Sequence, residues 1–426
     1  MTLLLMALMA AVTVHETTLD LSQIEDIDGT WTAPGYRLIQ EAVIDPLDYG
    51  EPLLLGNDKC IGCNAFFVDT PEGEKWRVVL TFPDKVVKVQ EDEEIVEYPI
   101  AGEIMPSGVV LSENGSWAII LLVDDNDFPP YYREPYEAVM INLDNNIVKQ
   151  LNNIYRALWL GNSGTFVSFD DDSVRFYNEN HVPVAALENF RGNTMARNIS
   201  FAGDGSLLVE GRAENSDYFL RAYDESGNTA WESPGGGLLA VSADGERVFA
   251  GRERSIACLD GNTGELRWSQ SLPFYRIVPS ETSIHGVACA FYLQNEPSAE
   301  PITAFATVAA SDNEITINTI TCLNKRTIMS VFPDAVSKKG DCICYYTFSD
   351  FHNYPRRLHT IVNSRGELIT GVKNDISREY YLDLRYNSGS SAGFVPVCIN
   401  PTGNRFSIWN TMSVNIYRIE RIEENE

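Results

Sequence analysis

The chain has 426 residues, 44% of them apolar, 11% aromatic and 22% charged, which is enough apolar material for a large core and too little charge for wholesale disorder. A formal net charge of −28 excludes broad attachment to phosphate backbones or anionic lipid surfaces, which depends on lysine and arginine, and no basic cluster offsets it. Length alone would suggest two or three domains, but repeat folds of this size close as one unit, so repeats decide the domain count.

Residues 1–14 are an apolar run containing Leu3, Leu4, Leu5, Met6, Leu8 and Met9, with small residues at Ala10 and Ala11. The run is too short to span a bilayer, which takes about 20 apolar residues. Residues 1–16 are read as a signal peptide, which places the protein outside the cytoplasm, periplasmic or secreted. No Lys or Arg precedes Arg37, so a buried first strand or helix is the alternative. No other segment reaches membrane-spanning length. Residues 17–52 form an N-terminal segment in which 36–44 alternates in strand fashion.

Eight cysteines are too few to frame a chain of this length. Cys60-Ile61-Gly62-Cys63 is read as a local disulfide, with a metal half-site or redox pair as alternatives; Asn64 stands where haem attachment would need His. Cys342 and Cys344 share one face of an expected strand. Cys258 and Cys322 each stand two residues before a turn residue, Asp260 or Asn324, and are read as equivalent small core residues.

From residue 53 onward one device recurs: a β-prone run broken at a tight corner ending in Gly. The corners are Ser112-Glu113-Asn114-Gly115, Gly161-Asn162-Ser163-Gly164, Ala202-Gly203-Asp204-Gly205, Ser242-Ala243-Asp244-Gly245 and Asn400-Pro401-Thr402-Gly403. Between them come hairpins with Asp or Asn at the tip, at Asp144, Asn178, Asp224, Asp260, Asn324 and Asn363. Short polar side chains bond the local backbone there and tolerate left-handed geometry. Corner and tip together give units near 53–100, 108–151, 158–187, 198–233, 238–270, 285–332, 342–372 and 394–419. The spacing fits four short strands per unit. The expectation is an all-β chain, a β-propeller of four-stranded antiparallel blades over 53–419, with eight blades favoured over seven and a charged tail at 420–426. The last unit offers three strands, and 36–44 is expected to supply the fourth and close the ring.

Cys258-Leu259-Asp260-Gly261-Asn262-Thr263-Gly264-Glu265-Leu266-Arg267-Trp268 resembles the repeat of quinoprotein-like propellers, in which a strand meets an Asp-x-x-Thr-Gly turn and a Trp follows on the return strand. Residues 224–231 echo it from Asp224 to Trp231, and the corner at 242–245 is similar to those of WD40-like propellers. The resemblance is at the level of the repeat. It implies that Trp231 and Trp268 pack between blades, with Asp224, Asp260 and Gly264 shaping the turns. It favours binding over redox chemistry, because no adjacent Cys pair and no quinone-calcium ligand set are legible.

Tests for chemistry return little. Gly389-Ser390-Ser391-Ala392-Gly393 matches a nucleophile elbow in letters, but a β-prone segment follows and no His lies downstream of His359. His15, His181, His285, His352 and His359 lack metal spacing, and no phosphate-cradling loop occurs. No catalytic residue and no organic cofactor is assigned. Asp124, Asp125 and Asp127 are the candidate oxygen ligands for Ca²⁺, although their spacing is not that of an EF-hand. The aromatic and proline residues after them, with the polar insert at 294–301, read as protruding contact loops. The expected function is an exported, non-enzymatic binding or scaffold module for a protein or glycan partner, with no nucleic acid and no membrane span; a glycan- or lactone-hydrolysing enzyme with channel carboxylates is the alternative.

Overall fold

The computed structural model describes residues 11–422 apart from 21–28, 50–61, 124–135, 189–198, 280–287, 295–303, 349–355, 375–397 and several shorter connections. Its described elements are strands, with one 3-10 turn at Pro46–Asp48. The strands fall into eight sheets that follow one another along the chain, at 62–99, 103–154, 156–188, 199–234, 237–271, 276–323, 328–374 and 398–421. In the first seven, four consecutive strands pair each with the next, antiparallel.

The strands read as continuous apolar runs because each sheet is buried on both faces, and alternate side chains enter different cores. In Trp117–Val123, Ala118, Ile120 and Leu122 join Val79, Val86 and Tyr98 of the first sheet, while Ile119 and Leu121 join Leu160 and Phe166 of the third. The same holds between sheets four and five, through Leu208, Trp231 and Val248, and between seven and eight, through Ile343, Ile361 and Phe406. The last sheet also meets the first: Val414 and Ile416 pack with Cys63, Val78 and Leu80. Four-stranded antiparallel sheets in series, face to face, with last against first, define a β-propeller.

The eighth sheet contributes three strands of its own. Its fourth is Tyr36–Ile44, antiparallel to Ser413–Arg421, with Tyr36 opposite Arg421 and Ile44 opposite Val414. Two further strands precede it. Calling Ala11–Asp20 β1, Thr30–Thr32 β2 and Tyr36–Ile44 β3, β1 lies parallel on Glu314–Leu323 at the edge of sheet six. β2 lies antiparallel on Leu368–Asn374 at the edge of sheet seven. The N-terminal segment thus adds a fifth strand to sheets six and seven and the fourth strand to sheet eight, and β1 runs across the boundary expected at residue 16.

The repeat phase differs from expectation in two places. Sheet six spans 276–323 rather than 285–332, and 328–336 is the first strand of sheet seven, which runs 328–374 rather than 342–372. Asn324 therefore follows a fourth strand instead of tipping a hairpin. Cys258 sits on a third strand and Cys322 on a fourth, so they are not equivalent. The polar insert between the second and third strands of sheet six displaced the count.

Removing residues 1–45 takes away β3 and bares both the eighth sheet and the seam to the first. The expected outcome is a fall of roughly 10 °C or more in the unfolding midpoint, with loss of a single cooperative transition, read by calorimetry.

Candidate functional site

Because neighbouring strands are antiparallel, connections between first and second and between third and fourth strands leave on one face of the ring. The others, between second and third strands and from sheet to sheet, leave on the opposite face. The first face carries short turns such as 112–116, 161–165, 261–265, 363–367 and 400–404. The second is the side on which the described strands end at Val123, Glu188, Gln294, Phe348 and Asn374.

On the short-turn face, polar side chains are spent on their own turns. Ser112 Oγ accepts from the N–H groups of Ser116 and Trp117 at 3.1 and 2.9 Å, Ser242 Oγ from Arg247 at 3.0 Å, and Asn400 Oδ1 from Asn404 and Arg405 at 3.0 and 2.9 Å. A sixth corner, Ser337 to Gly340, follows the same rule, with Ser337 Oγ accepting from Asp341 N–H at 3.1 Å. It carries the same Ser-x-x-Gly signal and was legible. In the second sheet the turn is fixed by Asn142, whose Oδ1 accepts from Asp144 and Asn145, rather than by Asp144 itself.

Two corner glycines show how the turns seat against the preceding sheet. Gly115 has φ 67° and a Cβ there would stand 2.5 Å from the Phe66 ring; Gly264 has φ 70° and would stand 2.5 Å from Trp231. Trp231 is buried, donates its indole N–H to Gly261 O at 2.9 Å, and so joins sheet four to the turn of sheet five. Trp268 is buried too, and its ring lies 6.3 Å from Phe249 within its own sheet. Asp260 caps its turn through the N–H groups of Asn262 and Thr263 and pairs with Arg267 at 2.6 Å. Burial alone would raise its pKa, but the Arg267 hydrogen bonds and the two backbone donors hold it below the usual value. Asp224 Oδ1 accepts from Asn228 N–H at 2.8 Å.

Buried cations bind sheet to sheet. Arg77 donates to Gly115 O at 2.7 Å and pairs with Asp144 at 2.8 Å, both in the second sheet. Lys88 donates to Leu143 O at 2.9 Å, and Tyr98 to Asn146 Oδ1 at 2.6 Å; burial pushes the Tyr98 hydroxyl up to about 12. At the seam between sheets eight and one, Arg405 meets Glu41 of β3 at 2.7 Å, Glu91 at 2.7 Å and the Glu74 carbonyl at 3.1 Å. Glu41 falls at a register shift in β3, a bulge that aims its carboxylate at both Arg405 and Arg418. Glu74 accepts from Asn400 Nδ2 at 2.8 Å, yet burial outweighs the help of Asn400 and Arg405 and leaves its pKa raised. None of these four seam residues was singled out from the sequence, because they come from three chain-distant regions.

Asp124, Asp125 and Asp127 lie outside the described residues, as does Cys60. Cys63 is buried in the seam core. Among the described residues no three His, Cys, Asp or Glu side chains gather as a metal site, and no helix is long and apolar enough to cross a membrane.

No family model and no curated protein matches the chain in sequence. Solved structures to which it is similar include the WD40 domain of SCAP from fission yeast, at 9% identity over 92% of this chain and 100% of that one, TM-score 0.49. Others are the Cps50 (Swd1) β-propeller domain of Myceliophteria thermophila, at 12% identity over 75% and 96%, TM-score 0.37, and a eukaryotic initiation factor, at 11% over 79% and 95%, TM-score 0.40.

Replacing Arg405 by Met leaves Glu41 and Glu91 without their shared cation, and the expected cost is about 3–5 kcal/mol in denaturant unfolding. Glu74 binds its proton more tightly folded than unfolded, so its favourable contribution is full below the ordinary carboxylate pKa and lost as pH rises through the raised value. Glu74→Gln is therefore expected to be neutral or stabilising at pH 7. His181, with φ 62°, has its pKa lowered by burial and then by Lys149. Its contribution is full above pH of about 6.5 and lost as pH falls through the lowered folded value. His181→Asn should flatten that part of the stability profile.

Proposed function

We propose that the chain is a non-enzymatic binding or scaffold module, an eight-bladed ring that holds a protein or glycan partner on the face carrying its long connections. The observation that supports this most is the segregation of the two faces. One is built of turns whose side chains cap their own backbone, while on the other the strands ending at Val123, Glu188, Gln294, Phe348 and Asn374 lead into connections of seven to twenty-three residues in the sequence. Rigid sheets fix the ends of those segments, which is how loop-borne contacts gain specificity without disturbing a core. The tyrosines and prolines at 129–132 and the polar insert at 294–301 suit a contact surface. Asp124, Asp125 and Asp127 stand in the sequence between the strands Trp117–Val123 and Tyr136–Asn142, and Ca²⁺ held by them would brace that connection.

Export remains part of this reading, on the strength of the apolar leader. β1 begins at Ala11, so processing that preserves the strand cuts no later than the Ala10–Ala11 pair; sequencing the N-terminus of the exported protein tests it, and a new terminus beyond Val14 would separate leader removal from the strand. The partner-face reading is tested by glycan array and by cross-linking mass spectrometry with captured proteins. Replacing 126–135 or 295–303 with Gly-Ser segments of equal length should weaken binding at least tenfold with the unfolding midpoint unchanged. Cross-links confined to the turns at 112–116 and 400–404 would place the partner on the wrong face and defeat the proposal.

A further inference from the structure

β1 is the one parallel neighbour among the described strand pairs, and the ring does not require it: sheets one to five stand with four strands, and sheet six has four of its own before β1 is added. The pairing runs ten residues without a shift, from Ala11 opposite Glu314 to Asp20 opposite Leu323. Its described side chains contribute little grip. Val14 is 38% exposed, and His15, Glu16 and Thr18 are exposed. The described polar side-chain contact of β1 is Thr17 Oγ1 donating to Arg365 O at 3.4 Å, beside Gly366 in the neighbouring sheet. The strand is therefore held chiefly by main-chain hydrogen bonds. A parallel neighbour cannot arise from a tight hairpin, and here the chain goes on to pair with a different sheet at β2.

We infer that Glu314–Leu323 is a strand-docking edge, and that its occupant in trans is residues 11–20 of a second copy of this chain, exchanged reciprocally so that each ring carries the other's first strand. A bare edge of this length invites strand addition, so it is filled either in cis or in trans. The contacts are the same in both cases, and the balance is set by the tether's effective concentration against protein concentration. A second copy is the occupant the structure fits, because the register and the Thr17 contact with the 363–367 turn already match this sequence.

Thr18 lies opposite Thr321. Full chains carrying Thr18→Cys or Thr321→Cys alone, one of them isotopically heavy, are refolded together, concentrated and oxidised. Exchange predicts a disulfide-linked dimer of one light and one heavy chain, at least tenfold above the same mixture of unsubstituted chains. It also predicts mixed dimers in statistical proportion by native mass spectrometry, lost on Val14→Pro/His15→Pro. A mixture that stays monomeric while the Thr18→Cys/Thr321→Cys double variant closes within one chain overturns the inference. Should no cysteine pair close, native mass spectrometry of light and heavy unsubstituted chains decides: monomers alone, or mixed dimers that survive the two prolines, overturn it equally.

Discussion

Every sheet in this protein hides both of its faces, and that requirement organises the rest. A stack of such sheets leaves one apolar face bare at each end unless the ends meet. Val414 and Ile416 of the last sheet meet Val78 and Leu80 of the first, which turns a linear repeat into a closed one. Hydrophobic burial at that joint is of the same kind as at the others, such as Ile120 on Val79 or Val248 on Leu208. What differs is connectivity, since the residues that close the ring are separated by more than three hundred positions in sequence. Non-local closure of this sort orders much chain before its contacts form, so the seam needs specific reinforcement.

That reinforcement is electrostatic. Arg405 gathers Glu41, Glu74 and Glu91 from β3 and from two places in the first sheet, and the bulge in β3 is what brings Glu41 within reach. Desolvation works against a guanidinium at this depth, but the Glu91 and Glu41 hydrogen bonds outweigh it and its pKa is raised. Three carboxylates surround Arg405, with Arg418 also on Glu41, and the pKa of Glu74 is raised first by its burial, with Asp69 and Glu91 adding to it. In a chain of net charge −28 the arrangement gives specificity of closure at modest net stabilisation.

Much of the fold was legible from local chemistry. The corners at 112–115, 161–164, 242–245 and 400–403 join first to second strands, and the tips at Asn178, Asp224, Asp260 and Asn363 join third to fourth. These signals survive in sequence because left-handed backbone and side-chain caps constrain residue type at a fixed spacing. Ser337 to Gly340 carries the same pattern, just ahead of the start expected for the seventh unit at 342. Asn324 misleads: an Asn after a β-prone run looks the same whether the chain turns back or moves on to the next sheet. The seam residues were not legible at all. An Arg after an Asn-rich corner and a Glu in an alternating strand have no local feature that announces their partners.

The sequence by itself determined most of the tight corners and hairpin tips, that the strands are apolar on both faces, and that the repeating unit has four strands, because each of these follows from periodicity and turn chemistry within a dozen residues. Tertiary structure alone decided that β1 and β2 lie on the edges of sheets six and seven and that Glu41, Glu74 and Glu91 converge on Arg405. Those outcomes depend on which distant segments come together and in which direction each strand runs. Such choices are made by the global balance of burial and edge pairing, to which no single stretch of residues gives a distinguishing mark.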